Sequence, residues 1–214
     1  DHEDRDKGAI ELRRSAVQPG RIEILPNQCW INHGLFQPGE MYEVITAKEI
    51  ENLNKELGER ISKDYKTLLK PDEELVIIVT LKGAMLFAAD LIRHITVPVV
   101  LDFVRLTSYG AGTQSSGTVR ILKDIETNPE NKHLIMLDEI IDSGRTFQFY
   151  GERLKAQNPK SLKLCALLSK PSRREVEVDI DYLGREVEDK FLVGYGLDFN
   201  EQYRNLKEIY AVEN

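Results

Sequence analysis

Cysteine and histidine are scarce in this chain. There are two cysteines, Cys29 and Cys165, and four histidines, His2, His33, His94 and His133. Two isolated thiols cannot build a disulfide framework, and neither residue type shows metal-ligand spacing. Long apolar runs are missing too. None exceeds the length of a strand, far short of the ~20 residues a membrane helix needs. The N-terminal stretch is charged and has no apolar signal core. Positive charge is in deficit: 29 Lys and Arg face 36 Asp and Glu, a formal net charge of −7. That argues against general binding to a nucleic-acid backbone. The expectation is a protein of a reducing cytoplasm with no nucleic-acid and no membrane partner. An anionic substrate would have to be held locally, by loop N–H groups, a few Lys or Arg and a metal ion.

What remains is a globular composition. Hydrophobic residues make up 41% and charged residues 30% of 214 positions, which suits one domain with a substantial core. Cys165 sits in the apolar run Leu164-Cys165-Ala166-Leu167-Leu168 and reads as a core thiol. Residues 1–43 differ from the rest. They mix charges with Pro and Gly and hold no sustained period beyond a short candidate strand at 22–25. Trp30 and Phe36 predict that the later part docks on the body. The division expected is an N-terminal extension, 1–43, partly flexible, and a main domain, 44–214.

From Val44 onward strand and helix patterns alternate. Ile50, Leu53, Leu57, Ile61 and Leu68 fall near helical spacing, and Lys70-Pro71 ends that helix. Residues 75–79 read as a buried strand. Residues 86–94 read as a helix with Leu86, Phe87, Asp90, Leu91 and Ile95 on its inner face. Residues 97–106 form a strand interrupted by Pro98, and 118–122 its hairpin partner. Further strands are expected at 134–137, 162–169, 176–182, 191–195 and 209–212, and a helix at 147–158, stopped by Pro159. This order predicts an α/β fold: a doubly wound, mainly parallel central sheet flanked by helices. In such sheets ligands sit beyond the carboxyl ends of the strands.

The most informative run is LIMLDEIIDSGRT, residues 134–146. Apolar residues make a strand. Asp138 and Glu139 follow at its end. Then Asp142, Ser143, Gly144, Arg145 and Thr146 form a short turn before a helical pattern. A strand, a tight turn and a helix N-terminus make an anion cradle, because the first helical N–H groups lack internal partners and the helix dipole favours negative charge. Ser143 and Thr146 add hydroxyl donors. A carboxylate pair beside such a cradle points to sugar hydroxyls or a divalent cation. Taken alone, the run is also compatible with an ordinary strand-to-helix turn bearing surface acids.

Three other segments carry chemistry. Lys82-Gly83-Ala84 follows a strand and opens a helix, where Gly83 lets backbone approach a ligand and Lys82 offers charge. Without context it is a plain connection. Residues 107–117 are small, polar and Gly-rich, hence a loop at a hairpin tip. Lys170 stands at the end of a strand, the ordinary place for a solvated lysine.

The run at 134–146 resembles the phosphoribosyl-diphosphate signature of the type I phosphoribosyltransferases. A second run, DKFLVGYGLDFNEQYRNL (189–206), resembles the matching segment of the hypoxanthine-guanine members, with a bacterial flavour in the loop at 107–117. The resemblance extends from about Val44 to the last residues. It implies the type I fold with a small hood and a hairpin lid, and a set of roles. Ser143, Gly144, Arg145 and Thr146 would hold the 5′-phosphate. Asp138 and Glu139 would grip the ribose hydroxyls and help hold Mg²⁺ with Asp198. Lys82, Gly83, Ser108, Tyr109 and Arg204 would meet the pyrophosphate, and the peptide before Lys82 can be cis. Lys170, Phe191 and Leu192 would read the purine, Phe191 by stacking. Asp142 would act as the general base at purine N7. The family usually ends its signature strand Glu-Asp, so the order Asp138-Glu139 is a departure, as is Ala84 in place of a second glycine.

The function implied is purine salvage: Mg²⁺-dependent transfer of the phosphoribosyl group from phosphoribosyl diphosphate to hypoxanthine or guanine, giving IMP or GMP and pyrophosphate. Lys170 fits a 6-oxopurine, because an ammonium only donates and adenine presents a donor there. The resemblance also implies a homodimer or homotetramer. The alternative is a catalytically weak regulator of the same fold that binds nucleotide or phosphoribosyl diphosphate. A third is a related transferase for another base.

Overall fold

The computed structural model describes residues 41–109 and 118–213. Two sheets organise them. The larger has six strands in the order β4-β3-β2-β5-β6-β7: β2 (Leu75–Leu81), β3 (Val99–Tyr109), β4 (Thr118–Lys123), β5 (His133–Ile141), β6 (Ser161–Ser169) and β7 (Tyr182–Glu186). All neighbours are parallel except β4, which returns antiparallel to β3 along one edge. The smaller sheet is antiparallel, in the order β1-β9-β8, with β1 (Met41–Ile45), β8 (Phe191–Val193) and β9 (Ile209–Val212).

The apolar strands are continuous because helices cover both faces of the large sheet. Leu75, Ile77 and Val79 alternate toward one cluster, with Ile135, Leu137, Cys165 and Leu167. On that side lie α1 (Ala47–Leu68), through Leu57, Ile61 and Tyr65, and α2 (Ala84–Leu91), through Phe87 and Leu91. Val76 and Ile78 alternate the other way, joining Leu134, Met136, Leu164 and Ala166. Tyr150 and Leu154 of α3 (Arg145–Lys155) close that side. Cys165 is fully buried, and burial pushes its thiol far above the ordinary range, so it is an inert core residue.

Local signals explain the element ends. Thr46 caps α1: its hydroxyl accepts from Glu49 N at 3.1 Å, and the Glu49 carboxylate accepts from Thr46 N at 2.9 Å, a reciprocal capping box. Pro98 lies just outside β3, and its carbonyl accepts from Leu75 N, so the proline bounds the strand rather than interrupting it. Asp90, expected on the inner face of α2, accepts a hydrogen bond from the Tyr195 hydroxyl at 2.7 Å.

Several expected boundaries shift. Leu68 is exposed, and Tyr65 takes the buried place in the last turns of α1. The second helix begins at Ala84 and ends at Leu91, with a 3₁₀ turn at Ile92–His94. Strand β5 runs to Ile141, so Asp138 and Glu139 lie inside it rather than after it; Asp138 pairs with Ala166 of β6. Residues 176–181 form no strand, because the N–H groups of Glu175 and Val176 go to Ser143 O instead. The strand expected at 191–195 stops at Val193, where Gly194, Tyr195 and Gly196 turn the chain at positive φ. Strand β1 begins at Met41 and pairs with β9, so the folded body starts no later than Met41. The candidate strand at 22–25, Trp30, Phe36 and the lid tip at 110–117 fall outside the described residues. Among the described residues no helix is long and apolar enough to cross a membrane.

Candidate active site

Three neighbouring parallel strands, β2, β5 and β6, end at one edge of the large sheet. Each delivers a predicted site residue just past its last position: Lys82 after Leu81, Asp142 after Ile141 and Lys170 after Ser169. Three segments far apart in sequence therefore meet by sheet topology alone.

The turn after β5 is shaped by Gly144, which sits at φ 83. A Cβ there would lie 2.6 Å from Val176 O, so both backbone conformation and space require glycine. Helix α3 starts at Arg145 with no side-chain cap beyond a 3.4 Å approach of Ser143 Oγ to Arg145 N. Its first N–H groups are thus left for an outside acceptor. Ser143 O accepts from Glu175 N at 3.0 Å and Val176 N at 3.1 Å, which straps the 174–178 segment across the turn. Arg145 is ion-paired with Glu175.

Asp142 is half-exposed, with its carboxylate 3.0 Å from Arg173 Nε. Arg173 also lies 3.6 Å from Asp189, which in turn lies 4.0 Å from Lys170. Lys170 is buried, and its ammonium donates to Lys190 O at 2.7 Å. A chain of alternating charge thus joins Asp142 to the lysine expected to read the base.

Asp138 and Glu139 are half-buried. Burial, and then the charge of Glu139, raises the Asp138 carboxyl well above the usual range; burial also raises Glu139. The Glu139 carboxylate lies against Gly83, where an added Cβ would fall 1.8 Å from Oε1. Two crowded carboxylates of raised proton affinity call for donors or positive charge facing them. No three His, Cys, Asp or Glu side chains among the described residues form a metal cluster. Asp198, Asp138 and Glu139 therefore do not make an all-protein cage. Mg²⁺ ordinarily takes one or two carboxylates together with substrate oxygens, and this acid pair fits that use.

On the β2 side, the Leu81–Lys82 peptide is cis. Gly83 and Gly196 lie backbone to backbone: a Cβ on Gly196 would fall 2.0 Å from Gly83 O. Arg204 donates to Gly196 O at 2.7 Å and pairs with Asp198 at 2.9 Å. Glu201 reaches Lys82 at 2.7 Å and Arg204 at 3.4 Å. The loop carrying Lys82 and the loop carrying Arg204 are thereby fastened together. Arg204 Nε is buried without a partner.

The small sheet brings the remaining residues. Phe191 is 45% exposed at the start of β8 and stands edge-on to Phe199, ring centroids 5.4 Å apart. Leu192 is buried and paired with Ala211. Strand β8 is an edge strand, so alternate backbone groups around Leu192 face away from β9. The backbone of Ser108 and Tyr109 belongs to β3, paired with Val119 and Thr118; their side chains lie outside the described residues. Arg173, Asp189 and Glu201 complete the charge pattern and were not singled out from the sequence. The pairs Arg173–Asp142, Asp189–Lys170 and Glu201–Lys82 join distant parts of the chain and leave no local period.

The chain matches the phosphoribosyl transferase domain family over residues 45–200. The hypoxanthine-guanine phosphoribosyltransferase of Mycobacterium tuberculosis is 41% identical over 197 residues, covering 91% of this chain and 92% of its own. A solved hypoxanthine-guanine phosphoribosyltransferase of Bacillus anthracis, with HEPES in its active site, superposes with a TM-score of 0.74 at 41% identity, covering 83% of this chain and 100% of that one. The hypoxanthine phosphoribosyl transferase of Trypanosoma cruzi, solved in connection with the role of its C-terminal region in oligomeric state and activity, gives a TM-score of 0.77 at 35% identity, covering 84% and 94%.

Proposed function

The chain belongs to the hypoxanthine-guanine phosphoribosyltransferases, and from that premise we propose how its residues divide the reaction among them. It is a pentosyltransferase of purine salvage. Hypoxanthine or guanine attacks C1′ of phosphoribosyl diphosphate, the bond from C1′ to the pyrophosphate oxygen breaks, and IMP or GMP forms. The regulator reading is not favoured, since the relatives are named as enzymes.

The observation that carries the assignment is the convergence of Lys82, Asp142 and Lys170 at the ends of three adjacent strands. The free N–H groups of α3, with Ser143, Gly144, Arg145 and Thr146, receive the 5′-phosphate. Binding energy spent there positions C1′. Asp138 and Glu139 accept hydrogen bonds from the ribose hydroxyls. Lys82, Gly83 and Arg204, with Ser108 and Tyr109 of the lid hairpin, bind the leaving pyrophosphate and stabilise its developing charge. Phe191 stacks on the base, backbone near Leu192 reads its edge, and Lys170 donates to the 6-oxo group. Asp142 takes the proton from N7. Its exposure and its Arg173 partner keep it aimed outward rather than into the core. Mg²⁺ would be held by the Asp138–Glu139 pair or by Asp198, in each case together with substrate oxygens, and would neutralise charge on the diphosphate. We propose a homodimer or homotetramer for this chain, the assembly that the family resemblance implies; the Trypanosoma cruzi relative was solved in connection with its oligomeric state.

The test is a panel of bases with phosphoribosyl diphosphate and Mg²⁺, following pyrophosphate release. Activity with hypoxanthine and guanine but not adenine is the expected result. In the same assay Asp142→Asn lowers kcat by about 10²–10⁴-fold, the span of general-base catalysis, with little change in phosphoribosyl diphosphate binding. Equal loss in both would remove the base role.

A further inference from the structure

Glu201 has no part in the roles above, yet it occupies their most cationic corner. One of its carboxylate oxygens lies 2.7 Å from Lys82 Nζ and 3.4 Å from Arg204. These two cations come from different loops, held in register by the Gly83–Gly196 backbone contact and by the Arg204 bond to Gly196 O. They are the pair assigned to the departing pyrophosphate.

We propose that Glu201 is a built-in stand-in for pyrophosphate: its carboxylate bridges Lys82 and Arg204 in the free enzyme and is displaced whenever a diphosphate binds. The proposal rests on the pyrophosphate role assigned to Lys82 and Arg204. The geometry suits an exchangeable anion. The Glu201 backbone is fixed: its N–H donates to Asp198 at 2.8 Å and its φ is 66. The side chain is 62% exposed, so it can swing into water while its backbone stays in place. Exposed ion pairs are weak and cheaply broken. Asp198 does not duplicate it, since Asp198 pairs with Arg204 but is not partnered with Lys82.

Two consequences follow. The internal carboxylate lowers the affinity of the site for the product and so speeds its release. It also keeps Lys82 and Arg204 pre-arranged between turnovers. Glu201 is thus a positioning residue and a tuner of diphosphate affinity rather than a catalytic one.

The experiment measures binding of inorganic pyrophosphate with Mg²⁺ by calorimetry, and its inhibition of turnover, on the full chain. Glu201→Gln keeps the size and removes the charge. Its expected effect is about threefold to tenfold tighter pyrophosphate, corresponding to ~0.65–1.4 kcal/mol. The KM for phosphoribosyl diphosphate falls in parallel, and the KM for hypoxanthine is unchanged. A merely structural role would not separate these constants. Glu201→Asp, one methylene shorter, loses the bridge and shifts the same constants in the same direction by less. Glu126→Gln removes an equal charge elsewhere and leaves all constants at the parent value. Equal or weaker pyrophosphate binding in Glu201→Gln, with an active parent enzyme, overturns the proposal alone. A parent protein that binds no pyrophosphate and turns over no base overturns the pyrophosphate assignment, and the proposal with it.

Discussion

Replacing Gly83 by Ala separates the stability of this fold from the geometry of its site. Gly83 has φ −62 and ψ −43, ordinary right-handed backbone, so alanine meets no conformational penalty there. What a methyl meets is the end of one side chain. The new Cβ would lie 1.8 Å from Glu139 Oε1, 2.3 Å from Cδ and 2.8 Å from Oε2. All of these belong to a carboxylate that can rotate away, so the backbone need not move. Reaching an ordinary contact requires a retreat of about 1.5 Å, estimated from van der Waals separations. The stability cost is therefore small, within ~1 kcal/mol, or about 2–4 °C in Tm for a chain of this size. The catalytic cost is large, because a displacement of about 1 Å in a positioning group can cost ~10²-fold. The assay pairs a thermal melt with steady-state kinetics at varied phosphoribosyl diphosphate. The expected outcome is a near-parental Tm with kcat/KM for phosphoribosyl diphosphate lowered by about 10–10²-fold. Unchanged kinetics would show that Glu139 does not engage the sugar. A Tm lowered by more than about 10 °C would show that backbone, not carboxylate, gives way.

Gly144→Ala should behave in the opposite manner. It forces a methyl to φ 83 and to 2.6 Å from the Val176 carbonyl, costing about 1–2 kcal/mol in conformation and more in displaced strap. Both Tm and phosphoribosyl diphosphate affinity should fall, and a parental melt would refute the strain. Lys170→Ala removes a charged donor worth about 1.5–3 kcal/mol, so KM for hypoxanthine should rise about 10–100-fold; a smaller effect on hypoxanthine than on phosphoribosyl diphosphate would misplace the base. Asp102 gives the pH dependence. Burial opposes its ionisation, but donors from Thr127, Phe103 and Glu126, at 2.7, 2.7 and 2.9 Å, hold its carboxyl below the usual range. A depressed folded value means the stabilisation is full above the unfolded pKa of ~3.9 and is lost as pH falls through the folded value. Asp102→Asn should cost about 1–3 kcal/mol at neutral pH and flatten the acid limb of Tm against pH; an unaltered acid limb would contradict the assignment.

The sequence carried the central strands and the anion turn plainly, because both rest on local patterns. Apolar runs of strand length mark β2, β5 and β6, and Asp142 to Thr146 stand together in the chain. Burial at 176–180 was also legible. Val178 and Ile180 pack on the cluster around Tyr150, as their alternation with Glu177 and Asp179 suggests. Pairing was not legible, since Glu175 and Val176 give their N–H groups to Ser143 O in the turn after β5 instead of to a strand. The end of β5 was hidden for a different reason. Charged Asp138 and Glu139 look like a strand terminus, yet the ladder to β6 continues through Asp138 to Ile141. The links Asp142–Arg173 and Lys82–Glu201 are long-range pairs of surface charge. Nothing in local periodicity signals such pairs, so only the folded chain reveals them.

The pairing of β1 with β9 has a consequence for biogenesis. Strand β1 emerges early from a ribosome, whereas β9, its neighbour in the small sheet, is translated long afterwards. Until Val212 is available, β1 has an unsatisfied edge and β8 lacks the support on which Phe191 depends. All six strands of the large sheet and the turn after β5 are translated before β9. The small sheet that carries Phe191, proposed to stack on the base, is then the last part to be completed, and a ribosome-bound chain arrested before β9 would present the proposed phosphate turn without the proposed base wall.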